Sequence, residues 1–224
     1  MAERASRRDG RLARRRDDHG RWRRRSGGPG RAGPLSRGRG GVRSFVALEL
    51  PEALCAPLAD LADRVPLGRP VPEDNLHLTL AFLGDQPLAA LEEVAGALDA
   101  LPWGPVPLTV TGLGVFGAGA PRQVHAAVAP DLELIGTERR AASAARAAGL
   151  ALAHRRFVPH VTLARLGGRR LSPDAAGRLA AFLTAAGNLH LGPVPAPALT
   201  LYESTLTPDG PIYTPLTTWP LPAD

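Results

Sequence analysis

At 224 residues and 44% apolar composition, the chain is long enough for one medium domain or two small lobes sharing a core, and a single cysteine excludes an internal disulfide framework. The formal net charge of +6 is unevenly placed: residues 1–40 hold fourteen arginines against four acids, a net of +10, and the rest holds thirteen against seventeen, a net of −4. The body is therefore a poor match for a long nucleic-acid groove, and no run of about 18 apolar residues reads as a membrane-spanning helix.

Residues 1–41 are Arg, Gly, Ser and Pro with almost nothing to bury, a composition that reads as a disordered tail. No apolar region follows the arginines, so neither a secretory nor a twin-arginine signal fits. Two readings stand: a basic arm that binds nucleic acid, or an over-extended gene start ahead of a folded sequence that opens at Val42.

From there the pattern runs strand, helix, strand. Phe45 to Leu50 reads as a strand, and Pro51 opens a helix to about Arg64 in which Cys55 is a small buried hydrophobe. After the loop GRPVPEDN, Leu76 to Leu83 is a strand and Pro87 to Ala100 a helix, with Leu88, Leu91, Val94, Ala95 and Leu98 at helical spacing. Residues 106–116 and 122–129 read as strands joined by GAGAP. An Ala-rich helix over 132–148 follows, with Gly149 as its C-terminal stop. A strand at 160–166 and a helix at 173–186, capped by Ser172, come next. The last strands are expected at 188–191, 197–206 and 211–219, the final two joined by Thr207-Pro208-Asp209-Gly210. The mixed order and the hairpins favour α+β with antiparallel sheets over a doubly wound parallel fold. Two similar lobes facing each other are expected.

One phrase is written twice. HLTLAFLG at 77–84 and HVTLARLG at 160–167 agree at six of eight positions, and the chain has only six histidines. In a strand, residues i and i+2 share a face and sit roughly 6.5–7 Å apart. His77 and Thr79 therefore share one face and His160 and Thr162 another, each backed by apolar residues. Two facing lobes would bring the four polar groups together. In-line displacement at phosphorus needs a base on the attacking oxygen and an acid on the leaving one, and two histidines supply both near neutral pH. Threonine hydroxyls suit the non-bridging oxygens, where charge grows in the transition state. A single H-x-T strand reads as an ordinary structural histidine; two copies in equivalent places reverse that judgement.

Zinc fits less well, because two histidines are too few for a catalytic site and no H-E-x-x-H or cysteine pair is present. The spacing of His125, His154 and His190 recommends none of them as a third ligand. His125, on the strand RQVHAAVA, reads as an ordinary half-exposed histidine rather than a cleft residue. Arg155 and Arg156, ahead of the second motif, read as a solvated charge pair rather than an RNA contact.

On these motifs the chain resembles the two-histidine phosphoesterase superfamily, and within it the bacterial and archaeal RNA 2′,3′-cyclic phosphodiesterases, long named 2′-5′ RNA ligases. The likeness covers nearly all of 42–221, including RSFVALELPEAL, ENLHLTLAFLGD, RRFVPHVTLARL and LYESTLTPDGPIYTPL. The resemblance implies a bilobal, pseudo-twofold α+β fold over 42–224, with two mainly antiparallel sheets, outer helices and a central cleft. It implies metal- and cofactor-independent hydrolysis of RNA 2′,3′-cyclic phosphate ends to 2′-phosphomonoesters, with reversible 2′-5′ ligation as a side activity. It also implies His77 as general acid, His160 as general base, and Thr79 and Thr162 on the phosphate.

Arg165 matches the family's H-x-T-L-x-R, and Phe82, at the same offset, matches an aromatic that stacks on the terminal base. Both offsets are odd, so an unbroken strand would point the two side chains away from the site. Core packing is the alternative for Phe82, whereas a buried Arg165 is disfavoured and a functional role preferred. The expected protein is a cytoplasmic monomer acting on RNA ends. The competing readings are a phosphodiesterase for another small cyclic or 2′-5′ linked nucleotide, and a non-catalytic RNA-binding protein working through its Arg-rich tail.

Overall fold

A computed structural model describes residues 41–153, 156–208 and 210–223. The readings of segment 1–40, His154, Arg155 and Asp209 fall outside the described residues. In chain order the elements are β1 (Val42–Glu49), α1 (Glu52–Arg64), the two-residue β2 (Arg69–Pro70), β3 (His77–Gln86), α2 (Leu88–Asp99), β4 (Pro107–Phe116) and β5 (Gln123–Val128). There follow α3 (Leu132–Ala147), β6 (His160–Arg165), α4 (Pro173–Ala185), β7 (Leu191–Pro195), β8 (Ala198–Thr207) and β9 (Gly210–Pro220).

Local chemistry sets the ends. The Ser172 hydroxyl accepts from the Ala175 amide ahead of α4, and the Asp131 carboxylate does the same for Leu134 at the start of α3. Gly149 follows α3 at φ +85°, a left-handed conformation that glycine adopts without steric cost. Pro51 proves to be the N-cap of α1 rather than its first residue.

Two expectations need correcting. The loop at 69–75 contains β2 and a single 3₁₀ turn at Glu73–Asn75. The strand placed at 188–191 is β7, and it begins only at Leu191. Residues just before it finish α4, with the Gly187 and Leu189 amides bonded to the Thr184 and Ala186 carbonyls, while β7 is drawn into register with β4, Leu108 opposite Val194.

The strands form one nine-stranded antiparallel sheet where two sheets were expected, in the order β7-β4-β5-β6-β3-β1-β8-β9 with β2 beside β6, because β3 and β6 pair at its middle. The order divides at its middle into two four-stranded halves, β7-β4-β5-β6 and β3-β1-β8-β9. β5-α3-β6-α4 in one corresponds to β1-α1-β3-α2 in the other, the pseudo-twofold arrangement expected.

The helices cross over: α1 packs against β6 and β7, and α3 against β3 and β4. Each half's helix thus backs the other half's H-x-T strand. The shared core contains Leu48, Leu54, Leu58, Leu78, Leu134 and Leu163, all essentially shielded from water. Each such leucine contributes roughly 1.5–3 kcal/mol of apolar burial. That core holds the H-x-T strands from behind and leaves the histidines and threonines on the opposite face.

Candidate active site

β3 and β6 run antiparallel and, among the described residues, pair at one position, Leu78 opposite Val161. Each is the residue between His and Thr in its own motif. Both point into the helix-backed core and are fully buried. Alternation then turns His77, Thr79, His160 and Thr162, all half-buried, to the opposite face. The two copies of the phrase meet tip to tip around a local twofold.

Both histidines are held the same way. Nδ1 of His77 lies 2.8 Å from the Asn75 carbonyl, and Nδ1 of His160 lies 2.7 Å from the Val158 carbonyl. A carbonyl oxygen only accepts, so Nδ1 carries the proton in each ring and Nε2 is left for chemistry. Burial, together with the nearby Arg165 and His160 charges, lowers the His77 pKa to about 4 against the opposing Asn75 hydrogen bond. Burial lowers that of His160 as well. Each ring is neutral at pH 7 until a bound anion favours a proton.

The odd offset of Phe82 and Arg165 is resolved by two matching β-bulges. Against β1, Ala47 faces Thr79 and the next residue back, Val46, faces Ala81, so Leu80 is an extra residue in β3. Against β5, His125 faces Thr162 and Val124 faces Ala164, so Leu163 is extra in β6. An extra residue reverses the alternation beyond it. Leu80 and Ala81 both go inward, as do Leu163 and Ala164, and the next residues, Phe82 and Arg165, emerge. Phe82 is 68% exposed, with its ring 6.3 Å from that of Phe45, so core packing is excluded. Arg165 donates from Nη2 to the Tyr213 hydroxyl at 3.1 Å.

Each catalytic candidate sits against two rings. Phe45 stacks on His77 at 4.8 Å between centroids, and Tyr213 meets it edge-on at 5.1 Å. On the other side, Phe116 and His125 meet His160 at 4.9 and 5.3 Å. His125 is therefore not half-exposed as its strand suggested. It is 6% exposed, because the ring lies flat on Phe116 over Gly114 rather than at the strand surface. The Gln123 amide donates to the Thr162 hydroxyl at 3.2 Å and orients it.

Beside His77, Glu49 Oε1 accepts from the Thr200 and Tyr202 hydroxyls, and Tyr202 stacks on Phe45 at 5.2 Å. Burial and the Glu49 carboxylate push the Tyr202 phenol well above its usual range, so it stays a neutral donor. The β8–β9 hairpin is tied to this corner by Asn75 Nδ2 donating to the Pro211 carbonyl and by Arg69 donating to that of Pro208.

Sequence reasoning did not single out Phe45, Glu49, Phe116, Tyr202 or Tyr213. One signal was present: the chain has two tyrosines, and both lie at this site. Of the remaining histidines and arginines singled out, His190 and Arg156 are exposed. Among the described residues no three His, Cys, Asp or Glu are grouped to hold a metal ion.

Two half-sheets that present paired H-x-T strands on one face define the class, a two-histidine phosphoesterase. The chain belongs to the LigT-like phosphoesterases, whose family profile matches residues 48–124 and 129–213. Over 121 residues it is 36% identical to an RNA 2′,3′-cyclic phosphodiesterase of Geobacillus stearothermophilus, an alignment covering 52% of this chain and 38% of that protein. Over 149 residues it is 33% identical to the RNA 2′,3′-cyclic phosphodiesterase of Aeropyrum pernix, covering 64% of this chain and 80% of that one. In structure it is similar to E. coli LigT in apo form, with a TM-score of 0.64 at 27% identity over 81% of this chain and 98% of that one.

Proposed function

We propose that the chain hydrolyses RNA 2′,3′-cyclic phosphate ends to 2′-phosphomonoesters. The observation that carries this reading is the pairing of Leu78 with Val161, which sets two proton-transferring imidazoles on one face around a twofold. The names of the two curated relatives supply the substrate class.

A cyclic phosphate seated between the motifs accepts hydrogen bonds from the Thr79 and Thr162 hydroxyls and from Arg165. His160, bare at Nε2, takes a proton from water as the water oxygen bonds to phosphorus. The P–O3′ bond opposite breaks, and His77 delivers its Nε2 proton to the departing O3′. The phosphate remains on O2′. Burial and Arg165 make the His77 imidazolium a strong acid, and the substrate's negative charge is what loads it with a proton. With a 5′-hydroxyl in place of water as the nucleophile, the same step joins 2′-5′ ends, and its reverse cleaves them.

In this scheme acid, base and phosphate donors all come from the chain, and Phe82 offers its exposed ring to the terminal base. The proposed catalytic domain is 42–224, a monomer acting in the cytoplasm. All the site residues lie within that span, and a single cysteine suits a reducing compartment. No described helix is long and apolar enough to cross a membrane.

The test is turnover of a short RNA ending in a 2′,3′-cyclic phosphate, in EDTA, by the full chain and by 42–224, with the 2′- and 3′-phosphate products resolved. Formation of the 2′-phosphate by both proteins is expected. A 3′-phosphate product would reverse the leaving group, and activity confined to other cyclic nucleotides would change the substrate. RNA binding lost with residues 1–41, with no turnover by either protein, would favour a binding protein.

A further inference from the structure

His125 has no step in the proposed reaction, yet the fold is arranged around it. Its Nδ1 is cut off from solvent and has no hydrogen-bond partner. A neutral imidazole has one N–H and one bare nitrogen, so an unpaired nitrogen in the interior opposes folding. Packing of the ring, and not a hydrogen bond of Nδ1, therefore holds it in place.

The ring is nonetheless seated closely. Phe116 stacks on it at 4.1 Å between centroids and 19° between planes. Gly114 lies directly opposite in β4, where a Cβ would stand 2.6 Å from Nε2, so any side chain there would push the ring from its seat. From this seat His125 meets the His160 ring at 69°, and Phe116 meets it at 84°. The two aromatic residues border His160 on the side of β4 and β5.

We infer that His125 is a positioning residue, which with Phe116 forms an aromatic wall that fixes the His160 ring and keeps water from its flank. The inference rests on the reading of His160 as general base. With its Nδ1–H committed to the Val158 carbonyl, the remaining freedom of His160 is rotation and hydration of the ring, and the wall restricts both. Burial is the largest influence on His160 and lowers its proton affinity, and this wall supplies part of that burial. Among the described residues the titratable neighbours of His160 are His77 from β3 and the neutral His125 from β5, and Phe116 from β4 carries no charge. The base is thereby kept neutral, and able to take a proton, further into the acid range.

The test is a His160 imidazole titration by NMR, set beside the pH dependence of kcat/KM, in wild type, His125→Ala and His125→Phe, with folding checked by circular dichroism. In H125A the His160 titration moves up toward the ordinary histidine value. The acid limb of kcat/KM moves with it; a midpoint about one pH unit higher lowers kcat/KM about tenfold on that limb. H125F restores the wall and both readings. An unchanged His160 titration in folded H125A overturns the inference. So does an H125F that titrates like H125A, because the ring alone would then not suffice. If the longer phenyl ring cannot seat over Gly114, the H125A titration decides alone. The titration needs no substrate, so failure of the RNA assay stays distinguishable from failure of the wall.

Discussion

Leu78 faces Val161 at the one position where β3 and β6 pair, and each is the middle residue of an H-x-T motif. The pair works as a pivot. Its side chains are sealed into the core behind the sheet, so the histidine and threonine on either side of each are turned to the front. Among the described residues the two strands pair at that position alone, so the pairing places both motifs side by side on the front face.

Loss of either histidine should abolish turnover. His77→Ala and His160→Ala are each expected to lower kcat by roughly 10²–10⁴-fold, the usual span for a positioned acid or base. Neither ring is deep in the core, so melting temperatures should change little. Single-turnover assays with a cyclic-phosphate RNA check this, and a variant retaining half its activity would remove that histidine from the mechanism.

The pH profile follows from the direction in which both histidines are moved. The active form needs one histidine charged and the other neutral. Both free-enzyme values lie below 6.5, that of His77 at about 4, so kcat/KM should peak on the acid side of 6.5 and fall as pH rises. A bound phosphodiester anion raises both, which moves the bell for kcat to higher pH. Steady-state kinetics from pH 4 to 9 would reveal this, and coincident optima for kcat and kcat/KM would contradict it.

Tyr213 should act through Arg165. Removing its hydroxyl with Tyr213→Phe leaves the ring against His77 but frees the guanidinium. KM is expected to rise severalfold, with kcat nearly unchanged. Arg165→Met should cost more, and the double variant no more than R165M alone, because residues sharing one interaction are not additive. Additive losses in this cycle would separate the two roles.

Phe82→Ala should weaken binding of an RNA end at little cost to stability, since the side chain is 68% exposed. Loss of one base stack is worth about 1–3 kcal/mol, or roughly a 5- to 150-fold rise in KM. Comparing KM for the RNA with that for a ribose cyclic phosphate lacking a base isolates the effect. Equal losses on both substrates would rule out stacking.

Stability should also fall in acid. The folded His125 pKa is about 4 and its ordinary value 6.5, so between these the unfolded chain binds the proton and the folded one does not. The contribution is complete above pH 6.5 and is lost as pH falls toward 4, on the order of 3 kcal/mol. Denaturant titrations at pH 7.5 and 4.5 should show the loss, and in His125→Phe it should be smaller. An identical pH dependence in that variant would assign the effect to other groups.

Much of this was legible in the sequence for a physical reason. Strand and helix periodicities are local, and the repeated phrase HLTLAFLG and HVTLARLG carries its alternation in its own residues, so His77, Thr79, His160 and Thr162 could be placed on common faces before any fold was known. What lay beyond local alternation was decided by tertiary pairing. Phe82 and Arg165 emerge because Leu80 and Leu163 are extra residues against β1 and β5, and a bulge exists only in relation to a partner strand. β7 begins at Leu191 because β4 offers it a register there. Phe45, Tyr213, Phe116 and His125 reach the histidines from strands tens of residues away, so no spacing in the chain announces them. The sequence by itself determined which side chains could do the chemistry. The tertiary structure decided which rings enclose them and how readily each holds a proton, because burial and long-range contact are properties of the folded chain alone.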